Sequence, residues 1–306
     1  MLGFWSLGDY DHQQSLRWGW ELLTDGLGLD RDRLGVTVFG GDDRCGPDID
    51  SLTTWRQLGV PPGRITPLTD PNWWEGPDGM CGPDSEVFYW TGHGDPVGDP
   101  STDERWVEVW NHVSMRYQDT SSGLRKLPRP CVDTGMGLER ILMVLQDVQS
   151  VYDTDLLSPW TEELSGRFGL DGWTLRRCSD HLRAVCVMVS DGVRPSNSGR
   201  GYVLRRLVRR VLGELWRPDR SRSLSDLDPS VVEHTLQTVG GGDSGEVLGV
   251  LDSEQRRFGG LLDRGRRLVE RELHRGPLTD ERVEWLRDTH GLPPELTRQL
   301  EGEIRG

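Results

Sequence analysis

Residues 130–145, PCVDTGMGLERILMVL, hold an abrupt change of period. A short apolar entry gives way to Asp-Thr-Gly-Met-Gly. From there Leu138, Ile141, Leu142 and Leu145 recur at helical spacing, which predicts a helix with one buried face. Gly135 and Gly137 admit close backbone approach by a ligand, where a Cβ would clash. Asp133 stands just before the helix and Arg140 lies in its first turn. One carboxylate and one guanidinium beside a Gly-rich strand-to-helix turn suit an ammonium and a phosphate respectively. A packed strand–helix junction carries the same pattern, because Gly-x-Gly alone is a weak signal.

The segment upstream is extended. Arg105 to Tyr117, RWVEVWNHVSMRY, alternates apolar and polar residues, so a long half-buried strand is expected. Val107, Val109, Asn111, Val113 and Met115 should share one face, and Asn111 within that stripe needs a partner if buried. Met1–Leu7 and Leu34–Phe39 read as strands. Helices are expected from about Gln13 to Leu23, with Leu16, Trp20 and Leu23 inward, and over Asp48–Leu58. Residues 72–90 read as a structured loop entering a strand at Glu86–Trp90.

From about Val151 the pattern is helical throughout. Leu175–Met188 is amphipathic, Gly192, Pro195, Asn197 and Gly199 make a loop, and Arg200–Leu212 is a helix. The longest helix runs from about Glu246 to His274, with Gly259-Gly260 as a weak point. Arg205, Arg206, Arg209 and Arg210 form an i, i+1, i+4, i+5 stripe. A solvated face with salt bridges and phosphate contact along an RNA helix both accommodate it. The net charge of −14 argues against nonspecific coating of nucleic acid but not against such a local basic face. Of the 36 basic residues only Lys126 is lysine, a skew that base composition explains as well as function does. Five dispersed cysteines without a Cys-x-x-Cys pair fit reduced thiols in a cytosol better than a disulfide framework or a zinc site. The chain shows no signal peptide and no run long enough to span a membrane.

PCVDTGMGLERI resembles the third signature motif of class II aminoacyl-tRNA synthetases, in the form found in the alanyl-tRNA synthetase family. Other segments resemble that family in the same order. Met1-Leu2-Gly3 and Gly8-Asp9-Tyr10 are similar to the end of its second motif, so the chain begins inside that motif. A misplaced start, a broken gene or a shortened paralogue would each give such a beginning. Phe4 and Asp11-His12 depart from the family's Asn and Lys. Cys81-Gly82-Pro83-Asp84-Ser85-Glu86 is similar to its Cys-Gly-Pro-Cys-Ser-Glu. His112, Ser114 and Arg116 also depart from it. Pro195-Ser196-Asn197 through Arg210 resembles a further family signature, and RDTHGLPPEL around Asp288 resembles another, without its aromatics.

The resemblance implies an α+β fold. A class II antiparallel sheet with helices, incomplete at its N-terminus, would occupy residues 1–150. An all-helical domain recognising the tRNA acceptor stem would occupy 151–306. It implies ATP-dependent activation of alanine with Mg2+ and transfer to tRNA(Ala) in the cytoplasm. Asp133 would hold the α-ammonium, Gly135 and Gly137 would expose backbone to the substrate, and Arg140 would neutralise ATP phosphate. Trp74, Asn111 and Val113 would wall the amino-acid pocket, although Trp74 also suits an ordinary core. Asn197 and Asp288 would read the wobble pair of the acceptor stem, with Arg205, Arg206 and Arg209 on phosphates. Two other readings fit the same residues: a paralogue that loads a small amino acid onto another acceptor, and a noncatalytic tRNA-binding fragment.

Overall fold

The computed structural model of the chain describes residues 1–305. They form two compact units that divide between Thr154 and Asp155. The first is α+β. Its seven strands are β1 (Trp5–Ser6), β2 (Leu34–Phe39), β3 (Ile65–Leu68), β4 (Trp73–Glu75), β5 (Met80–Trp90), β6 (Trp106–Thr120) and β7 (Gly123–Met136). They make one sheet in the order β1-β7-β6-β5-β2-β3, with β4 paired to β5. Every pairing is antiparallel except β2 with β3. Helices α1 (His12–Glu21) and α2 (Ile49–Gln57) carry apolar faces that Leu16, Trp20 and Trp55 bury, and α3 (Leu138–Leu145) adds Ile141. These side chains share one core with Val36 of β2, Val87 of β5, Trp110 of β6 and Met136 of β7. Burial of each is worth about 1.5–3 kcal/mol. Asp11 caps α1 by accepting from Gln14 N at 2.8 Å, which satisfies one of the first-turn donors.

Three expectations need correction. The first strand is only Trp5–Ser6, with a further bridge from Leu2 to Met136. Strand β5 starts at Met80 rather than Glu86, because Cys81 to Asp84 pair with β6 across a bulge. The third concerns β6, which is not half-buried. It is flanked by β5 and β7, and both faces are covered through its middle: Trp110, His112, Val113, Ser114 and Met115 are all buried. Nor does its apolar stripe stay on one face. The register steps from Val87↔Trp110 to Phe88↔Glu108, a bulge that leaves Val109 unpaired with β5 and re-aims its neighbours. Val109 joins Trp110 in the core under the helices, while Asn111 turns to the opposite face and meets Asp84.

Under the helices lies a buried polar network. Ser15 Oγ and His112 Nδ1 are 3.0 Å apart, and His12 Nε2 and Ser51 Oγ 2.9 Å. Ser51 Oγ donates to Asp48 Oδ2 at 2.5 Å. Since that uses the only hydroxyl proton, His12 must donate through Nε2. Arg116 meets Asp48 at 3.1 Å and donates to Ser114 Oγ at 2.7 Å. Burial, with Arg116 nearby, pushes the His12 pKa down to about 3. Burial, with His12 nearby, does the same to His112.

The second unit is all helical: α4 (Ser158–Phe168), α5 (Gly172–Ser190), α6 (Gly199–Trp216), α7 (Pro229–Thr238), α8 (Ser244–Leu273), α9 (Asp280–His290) and α10 (Pro294–Arg305). Leu182 and Val185 of α5, Leu204 and Leu212 of α6, Leu251 of α8 and Leu286 of α9 belong to one core. Helix α8 runs unbroken through Gly259-Gly260, because tertiary burial outweighs the low propensity of glycine. Gly265 has a packing reason: a Cβ there would sit 2.7 Å from Leu292 Cδ1.

The two buried histidines give a stability prediction. Their folded pKa lies below the unfolded value, so the unfolded chain binds more protons in acid. Their contribution is intact above pH 6.5 and is lost as pH falls toward 3. Other groups titrate in the same range, so the measurement is the difference between parent and variant in urea unfolding. His112→Gln should gain on the parent by about 2 kcal/mol between pH 7 and pH 5. A constant difference across that range contradicts a neutral buried His112.

Candidate functional site

The register of β5, β6 and β7 lays out the site on the sheet face away from the helices. Residues paired across adjacent strands share a face. Asp84, Val113, Asp133 and Trp5 pair in sequence across four strands. In the adjoining row Glu86 pairs with Asn111, and Asn111 with Gly135. On β7 the alternate residues Val132, Thr134 and Met136 are buried beneath, whereas Cys131, Asp133 and Gly135 are half-exposed. So Asp133, Gly135, Asn111 and Val113 are brought together.

Around Asn111 is a set of acids. Asn72 Nδ2 donates to Asp84 Oδ1 and to Thr37 Oγ1, both at 2.9 Å. Asn111 Nδ2 donates to Asp84 Oδ2 at 3.3 Å. Thr37 Oγ1 donates to Glu86 Oε2 at 3.1 Å. Burial raises the Asp84 pKa to about 6, against the lowering effect of the two amides. Burial, with Asp84 and Glu108 nearby, raises Glu86 to about 7. Glu108 joins this face as a consequence of the β6 bulge.

Arg140 sits in the first turn of α3 and donates through Nη1 to Glu108 Oε2 at 2.7 Å and to Glu108 O at 3.0 Å. It therefore reaches the acidic face through Glu108, with its side chain 49% exposed. Gly137 is the N-cap of α3 at φ −72°, so it is not needed for a left-handed conformation. A Cβ on Gly135 would lie 2.7 Å from Met1 Sδ, so that glycine admits the Met1 side chain over the sheet. Trp74 lies on β4. Its backbone pairs with Gly82, and a Cβ on Gly76 would lie 2.6 Å from its ring.

In the helical unit the arginine stripe divides. Arg205 and Arg209 face α8, where Glu254 Oε1 accepts from their Nε atoms at 3.2 and 2.7 Å. The Glu254 side chain is fully buried, so its charge demands cations beside it. Arg206 and Arg210 lie one position further round the helix and are exposed. The four-arginine stripe thus divides into an exposed pair, Arg206 and Arg210, and a pair, Arg205 and Arg209, that is held by Glu254. Arg205 also donates through Nη1 to Asn197 Oδ1 and to Ser196 O. It holds the exposed loop before α6 and leaves the Asn197 Nδ2 group outward. Asp288 is exposed in the last turn of α9, where the helix dipole disfavours an acid. A hydrogen bond from Arg287 holds its carboxyl below the usual range.

The chain matches the family of tRNA synthetases class II (A) over residues 1–304. It belongs to the class II tRNA synthetases. Among similar proteins are alanine–tRNA ligases. That of Rubrobacter xylanophilus is 38% identical over 338 residues, covering 99% of this chain and 38% of the relative. That of Stenotrophomonas maltophilia is 38% identical over 329 residues, covering 99% and 36%. That of Polaromonas sp. is 37% identical over 332 residues, covering 98% and 36%. This synthetase chain thus spans little more than a third of the length of the curated relatives it matches.

Structure also sorts its departures from the family pattern. His12, His112, Ser114 and Arg116 meet in the network under the helices. Phe4 lies edge-on to Trp110 and His112, with ring centroids 5.5 and 6.1 Å away. Asp84 is on the other face, beside Asn111. The sequence alone assigns no role to Asn72, Asp84, Glu86, Glu108 or Glu254. An alternation count cannot foresee a bulge, and a buried acid on a long helix looks like any surface glutamate until its partners arrive.

The divided stripe yields a comparison of variants. Arg209→Ala should destabilise the chain by on the order of 3 kcal/mol in urea unfolding, because it leaves Glu254 short of a cation. Arg206→Ala should stay within about 0.5 kcal/mol of the parent. Equal effects would contradict the division.

Proposed function

We propose that this synthetase chain activates alanine with ATP and passes the alanyl group to tRNA(Ala) in the cytoplasm. The observation that carries the reading is the shared face of Asp133, Asn111, Val113 and Gly135, with Arg140 at its margin. Asp133 holds the α-ammonium of the amino acid. Val113 limits its side chain, and Gly135 exposes its backbone to the substrate. An oxygen of the alanine carboxylate attacks the α-phosphorus of ATP, and pyrophosphate leaves. Arg140 offsets the charge that builds on phosphate. A hydroxyl of the terminal tRNA ribose then attacks the alanyl carbonyl, and AMP leaves. The protein contributes alignment and charge stabilisation without a covalent intermediate on a side chain.

Among the described residues no three His, Cys, Asp or Glu side chains form a metal-ligand group. Magnesium needs only one or two carboxylates when it binds with nucleotide phosphates. Glu86 and Glu108 fit that need, since mutual repulsion helps to raise Glu86 and a cation relieves it. The ion would supply neutralisation of phosphate charge.

For the tRNA, Asn197 Nδ2 is the donor offered to the shallow minor groove of the acceptor stem, and Asp288 is the second reader. Arg206 and Arg210 meet backbone phosphate. The supports for this are the exposed loop, the orientation imposed by Arg205 and the exposed arginine pair.

Two measurements test the reading. Asp133→Asn should abolish alanine-dependent ATP–pyrophosphate exchange, and unaltered exchange removes Asp133 from the site. Asn197→Ala should reduce discrimination between wobble and Watson–Crick acceptor stems by about 1–3 kcal/mol. A parent chain that charges both stems equally rules out that role.

A further inference from the structure

The face around Asn111 is supplied almost wholly with acceptors. Asp84, Glu86, Glu108 and Asp133 are acids, and the nearby guanidinium of Arg140 is engaged by Glu108. Two amide oxygens, Asn72 Oδ1 and Asn111 Oδ1, are buried with no hydrogen-bond donor. Asn72 itself is 0% exposed. Both amides turn their Nδ2 groups to Asp84. An ionised carboxylate accepts only, so it forces that orientation and turns both carbonyls away from itself. Buried acceptors left in this way call for a donor brought from outside. Alanine brings one ammonium, and Asp133 takes it.

The spacing says where a second donor belongs. Asp84 and Asp133 flank Val113 in one row. Strands two apart are separated by roughly 10 Å. Two ammonium–carboxylate hydrogen bonds of about 2.8 Å each, joined by an N–C–C–N unit spanning about 4 Å, cover that distance. An alanine methyl group leaves the Asp84 end unfilled. The contact between Asn111 Nδ2 and Asp84 Oδ2, at 3.3 Å, is the longer of the two hydrogen bonds from these amides, so Oδ2 is the less tightly held oxygen.

The geometry points to a further substrate class: α,β-diamino acids, with the α-ammonium on Asp133 and the β-ammonium on Asp84 Oδ2 beside Asn111. Asp84 acts partly through Asn111, as a positioning residue that sets which end of the amide faces the ligand. This rests on the amino-acid site proposed above and adds a second substrate to alanine. Activation follows the same bond changes as for alanine.

The test uses the full chain with L-2,3-diaminopropionate and alanine, each in ATP–pyrophosphate exchange and in titration calorimetry. Diaminopropionate should bind, and it should support exchange. Asp84→Asn and Asp84→Cys, each checked for an intact unfolding transition, should lower the diaminopropionate-to-alanine specificity ratio at least tenfold. Alanine exchange without diaminopropionate binding overturns the inference and leaves the proposed function standing. Asp84-dependent diaminopropionate binding without any exchange supports the inference as a binding site and overturns activation. Absence of binding and exchange for both amino acids overturns both. An unchanged ratio in both folded variants overturns the role of Asp84.

Discussion

The position of β6 between β5 and β7 is the constraint on which the first unit depends. A central strand is hydrogen-bonded along both edges, so its register cannot slip by one residue without exchanging its two faces. That register sets Val113 between Asp84 and Asp133 and sets Asn111 between Glu86 and Gly135. The bulge at Glu108 to Trp110 does the remaining work. It sends Val109 into the core and brings Glu108 round to Arg140, so an acid and a base from distant parts of the chain meet at the margin of the site.

What lies beneath that strand is unusual for a core. Tyr10 Oη, His12 Nδ1, Trp110 Nε1 and His112 Nε2 are buried without partners, while Ser15, Ser51, Asp48 and Arg116 satisfy the neighbouring atoms. An unsatisfied buried polar group typically costs about 1–3 kcal/mol. The aromatic contacts of Phe4 with Tyr10, Trp18 and Trp110 offset part of that cost. The network joins α1, α2 and β6, so the departures from the family pattern found there are changes to the support of the sheet. Only Asp84, among those that the structure sorts, alters the face that carries Asn111 and Asp133.

The helical unit follows the same logic in another form. Glu254 is a carboxylate in the middle of α8, and two guanidiniums of α6 enclose one of its oxygens. One of them, Arg205, continues to the loop that carries Asn197. A buried ion pair contributes little net stability, but removing one member is costly. Its value here is orientational: the loop side chain offers its amide nitrogen because its oxygen is already held.

Local pattern was enough to place most elements. Leu34–Phe39 is a strand over the expected residues, and Leu16, Trp20 and Leu23 point inward, because periodicity reports which side of an element is apolar. The motif around Asp133 was likewise legible, since a Gly-rich turn before an amphipathic helix is a local property. Tertiary structure alone decided what depends on partners remote in the chain. The step in register at Val109 depends on hydrogen bonds to β5, and the division of the arginine stripe depends on a carboxylate some fifty positions away. The acceptor-rich surroundings of Asn111 arise because Asn72, Asp84 and Glu86 come from elements that meet only in the folded sheet. Period and spacing encode burial one element at a time, whereas charge pairing and register are settled between elements.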